Sequence, residues 1–298
     1  MTFGKIKFYL KNPNYMALRV KGFILNLFSP KLKAKYLNLE ETINYIVNFR
    51  VSIGRIGDGE MLIMSGKNQY FQKSDFKLKH RLLEVKTTNN FLLCLPILSL
   101  TNKCDFLFEK KEILFWADNR KYFRYKYIKI ANNCSFIGEA FISRFYLPYK
   151  NKNRSSYINL LKQVWNDENV VFVEGYYSRV GVGNDLFDNA RSIKRILCPP
   201  ENAFDKYDEI LNYIIHNISK DYLLIIALGP TATVLAYDLS YLGYWAVDLG
   251  HIDIEYEWYK KKATQKTKID NKYCGEVDSK YPNINFLDIK NEIIHIIK

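Results

Sequence analysis

Two carboxylates stand two residues apart in Arg55-Ile56-Gly57-Asp58-Gly59-Glu60, with a glycine on either side of the aspartate. Carboxylate oxygens are hard ligands that suit Mg²⁺ or Mn²⁺, and such ions keep positions open for substrate phosphates. The glycines let backbone approach a ligand closely. An ordinary acidic turn between a strand and a helix would read the same way. A second group is His251-Ile252-Asp253-Ile254-Glu255-Tyr256-Glu257-Trp258, where polar and apolar residues alternate strictly. In an extended chain His251, Asp253, Glu255 and Glu257 share one face. There they could supply a general base, a metal ligand or partners for sugar hydroxyls. A solvated edge strand would show the same alternation.

Two further stretches could bind phosphate. Leu228-Gly229-Pro230-Thr231-Ala232-Thr233 runs from an apolar strand through Gly229 into small, hydroxylated residues. The free N–H groups of a helix start favour anions, so Gly229, Thr231 and Thr233 are candidate diphosphate contacts; a plain N-cap is the alternative. In Ser178-Arg179-Val180-Gly181-Val182-Gly183-Asn184-Asp185, Arg179 could grip phosphate oxygens as a fork and Asp185 could cap the helix after it. The glycine spacing there does not match the dinucleotide fingerprint.

These residues need elements to position them. Apolar periodicity predicts a helix over 39–49 and a strand over 51–56 that runs into the Gly57–Glu60 turn. A strand follows at 91–95. In the second half, strands at 170–173, 192–198, 222–228 and 245–249 alternate with helices at 155–165, 204–218 and 231–242. The 251–258 stretch is read as a further extended segment. Strand–helix alternation at this spacing predicts an α/β fold: a Rossmann-like parallel sheet flanked by helices. Ligands in such sheets bind beyond the carboxyl ends of the strands, where Asp58, Glu60, Glu174, Gly229 and Gly250 fall.

The chain has 298 residues, 48% of them hydrophobic, which supports a sizeable core and excludes disorder. No apolar run approaches the roughly 18 residues needed to cross a bilayer, and a cytoplasmic location is expected. Cys94, Cys104, Cys134, Cys198 and Cys274 are scattered and predict neither a disulfide framework nor a zinc site. Net charge is +13, and residues 1–39 carry eight Lys or Arg and no acid. That suits an anionic partner, although a compositional bias toward lysine would produce it too. Residues 1–37 are set apart as a basic helical extension that could attach to the anionic inner face of a membrane, and 38–298 as the catalytic domain. No recognised nucleic-acid signature is present, so no nucleic-acid partner is expected.

Arg-Ile-Gly-Asp-Gly-Glu at 55–60, Ser-Arg-Val-Gly-Val-Gly-Asn-Asp at 178–185, Ala-Leu-Gly-Pro-Thr-Ala-Thr at 227–233 and Asp-Leu-Gly-His-Ile-Asp-Ile-Glu-Tyr-Glu-Trp at 248–258 resemble the GT-D glycosyltransferases. This bacterial family was first catalogued as a domain of unknown function. The resemblance covers about residues 38–275, and the last two motifs are the more specific. It implies a D-x-E metal motif, carried here by Asp58 and Glu60, with Ile56 where the family often has Phe. It implies a nucleotide-sugar donor, typically UDP-glucose, and a role in glycosylating surface proteins or building surface polysaccharide.

The combined expectation is a hexosyltransferase. Asp58 and Glu60 would hold Mn²⁺ or Mg²⁺, and Arg55, Arg179, Gly229, Thr231 and Thr233 would contact the donor phosphates. His251, Asp253 or Glu255 would serve the acceptor, a glycan, glycoprotein or lipid-linked sugar. The rival readings are a metal-dependent phosphoesterase or nuclease and a module that binds nucleic acid or membrane through its basic N-terminus.

Overall fold

The computed structural model describes residues 20, 22–25, 27–101, 108–109 and 123–298. Most of the basic extension, residues 1–19 with 21 and 26, lies outside them. The sheet begins inside that extension, because β1 (Lys35–Tyr36) pairs with β4 (Phe136–Glu139). Asn38 then caps helix α1 (Leu39–Phe49). Its side chain accepts from Glu41 N at 2.9 Å while Glu41 Oε2 accepts from Asn38 N at 2.7 Å, a reciprocal capping box. The helix buries Ile43 and Ile46 and ends at Arg50, in left-handed conformation.

Chain order continues with β2 (Ser52–Arg55), α2 (Asp58–Met64), α3 (Phe76–Glu84), β3 (Phe91–Leu95), β4, α4 (Ser155–Lys162), β5 (Asn169–Gly175) and β6 (Ser192–Cys198). Then come α5 (Tyr207–Asn217), β7 (Leu223–Ala227), α6 (Pro230–Tyr241), β8 (Trp245–Asp248), α7 (Ile252–Lys260) and β9 (Ile293–Ile296). The strands form one nine-stranded sheet in the order β1-β4-β3-β2-β8-β7-β5-β6-β9, and every pairing is parallel. A parallel sheet is covered on both faces, so its strands read as unbroken apolar runs. All five residues of β3 are buried, as are Val170–Val173 and Leu223–Ile226.

Two apolar layers cover the sheet. One holds Met61 of α2, Leu78 of α3, Ile210 of α5 and Leu235 of α6. The other holds Ile43 of α1, Ile158 of α4, and Ile252 and Trp258 of α7. The neighbours β2 and β8 therefore send the chain to opposite faces, β2 into α2 and β8 into α7. That divergence opens a crevice at their carboxyl ends. Cys94, Cys134, Cys198 and Cys274 are free and buried. Among the described residues no helix is long and apolar enough to cross a membrane.

Helix α6 lies on β2 and β8 at close range. Gly54 permits it: a Cβ there would stand 2.7 Å from the Phe91 ring and 3.1 Å from Thr233 O. Gly54→Ala is expected to cost about 1–3 kcal/mol of stability as α6 is pushed off the sheet. A denaturant titration checks this, and a midpoint equal to wild type would contradict it.

Candidate active site

A cleft of about 450 Å³ opens over the carboxyl ends of β2, β5, β6, β7 and β8. Its floor is made of the residues that follow those strands: Gly57–Glu60 after β2, Pro199 and Pro200 after β6, Leu228–Pro230 after β7, and Gly250 and His251 after β8. The floor is held by one ion pair. Arg55 Nη2 donates to Asp248 Oδ1 at 2.7 Å, Arg55 Nε to Asp248 O at 3.0 Å, and Arg55 N to Asp248 Oδ2 at 3.2 Å. Arg55 is thus spent on structure, with Ser143 Oγ and Gly250 O as its other acceptors.

Asp58 and Glu60 both line the cleft, and Asp58 is exposed. They lie in the first turn of α2 instead of preceding it. Glu60 folds back so that its Oε2 accepts from Gly57 N at 2.8 Å. Burial, and next the Asp248 carboxylate, push the Glu60 carboxyl up to about 7. Among the described residues no three metal-ligating side chains converge. A cation here would rest on two carboxylates with substrate oxygens completing its shell, which is how Mg²⁺ is usually held at phosphate sites. The donor set fits such an ion.

The 251–258 stretch corrects its sequence reading. It is not an extended segment: His251, at φ 79°, ends the turn after β8, and Ile252–Lys260 is helix α7. Alternation marks a strand only when the polar residues face water, and here Asp253, Glu255 and Glu257 turn to partners within the protein. Asp253 Oδ1 accepts from Gly181 N at 2.9 Å and Asn184 Nδ2 at 2.8 Å, and its Oδ2 accepts from Lys272 Nζ at 2.6 Å. Glu255 Oε1 accepts from the Tyr146 and Leu147 amides at 2.8 and 2.6 Å. Burial raises the Glu255 carboxyl above the usual range. The helix separates the four side chains that a strand would have grouped. Asp253 and His251 line the cleft, whereas Glu255 points away from it toward the Tyr146 loop. The buried Nε2 of His251 has no hydrogen-bond partner among the described residues.

The phosphate candidates separate likewise. Gly229, at φ 55° and ψ −140°, is open to the cleft and has nothing within 4 Å of a notional Cβ. Few residues other than glycine tolerate that backbone. Thr231 and Thr233 are fully buried and point into the protein. Thr233 Oγ1 donates to Arg55 O at 2.7 Å, and Thr231 Oγ1 lies 3.4 Å from Gln72 Oε1. Their hydroxyls brace the floor and do not reach a ligand in the cleft. Arg179 also lies away from the cleft: it pairs with Asp288, and its Nη1 donates to Asn285 O at 2.8 Å. Asp185 lines no part of the cleft and receives Lys260 Nζ at 3.0 Å and Tyr256 Oη at 3.0 Å.

Several cleft residues carry no sequence motif. Arg144, from the segment after β4, pairs with Glu276, and Lys266 Nζ reaches Glu276 at 2.7 Å. Arg144, Lys266 and the nearby His251 hold the Glu276 carboxyl well below its ordinary range against the effect of burial. Tyr70, Phe71, Tyr177 and Tyr273 form an aromatic wall. Only the tyrosine content, 23 residues, hinted at it.

This geometry has known counterparts. The family description Glycosyltransferase GT-D fold matches residues 53–277. The chain belongs to the GT-D glycosyltransferase family. The probable glycosyl transferase Gly of Streptococcus gordonii is 36% identical over 278 residues, covering 92% of this chain and 40% of that one. The glycosyltransferase GlyD of Streptococcus pneumoniae is 36% identical over 242 residues, covering 80% and 29%. The chain therefore spans well under half the length of these curated relatives. A structure described as a new glycosyltransferase (DUF1792) from Streptococcus sanguinis superposes with a TM-score of 0.82 at 35% identity, covering 89% of this chain and all of that one. Another, a selenomethionine form of domain of unknown function 1792, gives 0.83 at 36% identity, with 94% of this chain covered and all of that one.

In this GT-D protein His251 links folding stability to pH. Burial, then the neighbouring Arg144 guanidinium, push the His251 imidazole from 6.5 down to about 3. Between these values the unfolded chain binds a proton that the folded chain does not. The contribution of this group is fully present above about pH 6.5 and is lost as pH falls toward 3. His251→Asn suits the left-handed backbone and removes the titration. Denaturant midpoints compared at pH 7 and pH 5 should fall less in this variant than in wild type. Equal falls would contradict the buried, neutral imidazole.

Proposed function

We propose that the chain transfers a hexose from a nucleoside diphosphate donor to a glycan acceptor, with Mg²⁺ or Mn²⁺ held by Asp58 and Glu60. The observation that carries this reading is the charge balance of the cleft. Among the described residues, the two arginines that line it, Arg55 and Arg144, are already neutralised by Asp248 and Glu276, while Asp58 remains exposed beside Glu60. A diphosphate entering without a cation would meet net negative charge. The metal, when bound, supplies the positive charge that stabilises the leaving diphosphate.

The chain's own residues do the rest. The open backbone at Gly229 accepts the diphosphate at the positive end of α6, where Pro230 has no N–H and Ala232 N already donates to Gly229 O at 2.9 Å. His251 is neutral at working pH, and it orients an acceptor hydroxyl by hydrogen bond instead of removing its proton. Asp253, locked to Lys272 and Asn184, positions the Gly181–Asn184 loop. Glucose and UDP are the donor components that the family resemblance suggests. A lipid-linked or protein-borne acceptor, and attachment of residues 1–37 to an anionic membrane face, are further parts of this proposal.

Asp58→Asn and Glu60→Gln should each leave the fold intact and lower transfer by about 10²–10⁴-fold, as metal-assisted charge stabilisation is lost. Chelator should silence the wild type and Mn²⁺ should restore it. The assay is release of nucleoside diphosphate from a panel of nucleotide sugars, with and without sugar acceptors. Full activity of either variant in chelator would defeat the metal role. Cleavage of nucleic acid or simple phosphoesters instead would favour the phosphoesterase reading.

A further inference from the structure

No residue of the aromatic wall is among those proposed to hold the donor diphosphate and its cation. Phe71 and Tyr70 stack edge to face at 5.2 Å, and both rings rest on the backbone of the C-terminal segment. A Cβ on Gly275 would stand 2.4 Å from the Phe71 ring and 2.7 Å from that of Tyr70. Tyr273 hydrogen-bonds Tyr70 and packs against Tyr281 at 4.6 Å, and Tyr281 stacks on Tyr177 at 4.4 Å. The Tyr281 hydroxyl donates to Glu201 Oε1 at 2.6 Å. The group runs from inside the cleft to its rim, where Tyr70 is 59% and Tyr281 38% exposed. The rings are therefore held in place yet open to water.

We infer that this shelf is the acceptor subsite, and that it takes a neutral oligosaccharide of two or more sugars. The inference rests on the proposed transferase reading. The C–H face of a pyranose is apolar and flat enough to lie on an aromatic ring, as bases do in single-strand binding sites. Sugar hydroxyls find partners in Glu201 and the tyrosine hydroxyls. Among the described residues, the charged group bonded to the shelf is the Glu201 carboxylate, an anion, which disfavours a phosphorylated ligand. The shelf also leads outward to solvent, as an extended acceptor needs, whereas a donor must be enclosed to avoid hydrolysis.

The test uses the full chain with UDP and Mn²⁺ on an array of neutral oligosaccharides, alongside calorimetry of UDP–Mn²⁺ binding. Wild type should bind oligosaccharides of two or more sugars. Tyr70→Ala should weaken that binding about tenfold or more, and Gly275→Ala, which displaces both rings, should weaken it also. Tyr70→Trp, which keeps an aromatic face, should retain it. The UDP–Mn²⁺ dissociation constant should not change in these variants. Undiminished glycan binding by Tyr70→Ala would overturn the inference, and so would wild type that binds UDP–Mn²⁺ but no glycan. Joint loss of UDP and glycan would make the shelf a nucleobase seat and overturn it as well. Wild type that binds glycan but not UDP–Mn²⁺ would leave the shelf standing and reject the donor site instead.

Discussion

The ion pair between Arg55 and Asp248 joins the two strands on which the cleft depends. β2 and β8 are neighbours in the sheet, yet the chain leaves them toward opposite faces. Thr233 ties the same point to helix α6 through Arg55 O. A buried pair adds little net stability, because desolvation offsets much of its attraction. What it fixes is position. With Arg55 and Asp248 locked together, the Gly57–Glu60 turn, the Gly229 backbone and His251 have a common frame.

The same logic explains why so many ionisable groups near the cleft are not reagents. Arg195 bridges Glu174 and Glu292 at 2.6 Å each, Arg179 holds Asp288, and Lys272 holds Asp253. Arg195–Glu292 ties the C-terminal segment to β6, Arg179–Asp288 ties it to the loop after β5, and Lys272–Asp253 ties it to α7, while Arg195–Glu174 links β6 to β5. That segment carries Tyr273, Gly275, Glu276 and Tyr281 over the cleft and ends as β9 beside β6. The internal polar contacts therefore build one wall of the site, and Asp58 and Glu60, which form no ion pair with a described residue, stand out against them.

Much of the fold was legible in the sequence, for a physical reason. Parallel strands are apolar on both faces and are bounded here by Gly or Pro, so Phe91–Leu95 and Leu223–Ala227 are plain to read. The short edge strands β1 and β9, and β4 next to β1, carry no such signal. Helix α3, with its charged exposed face, also passed unread. The position of Asp58, Glu60 and Gly229 beside strand ends was legible from the neighbouring glycines, and all three line the cleft. The 251–258 stretch was misread because its acids are buried by partners distant in sequence: Gly181, Asn184, Lys272 and the Tyr146 loop. Arg179, Thr231 and Thr233 were assigned to ligand for the same reason. Their partners, Asp288, Gln72 and Arg55, are invisible to any local pattern. The aromatic wall joins residues 70 to 281 and could be recognised only after folding.

The central claim is that a nucleoside diphosphate lies over Gly229 with a cation between it and the Asp58–Glu60 pair. A crystal structure of the full chain with UDP and Mn²⁺, with diffraction measured on both sides of the manganese absorption edge, tests it most directly. The account predicts one anomalous peak within coordination distance, about 2–2.6 Å, of a carboxylate oxygen of Asp58 or Glu60 and of a diphosphate oxygen. A nucleotide bound in the cleft with no metal at that position, or a metal held elsewhere, would contradict it.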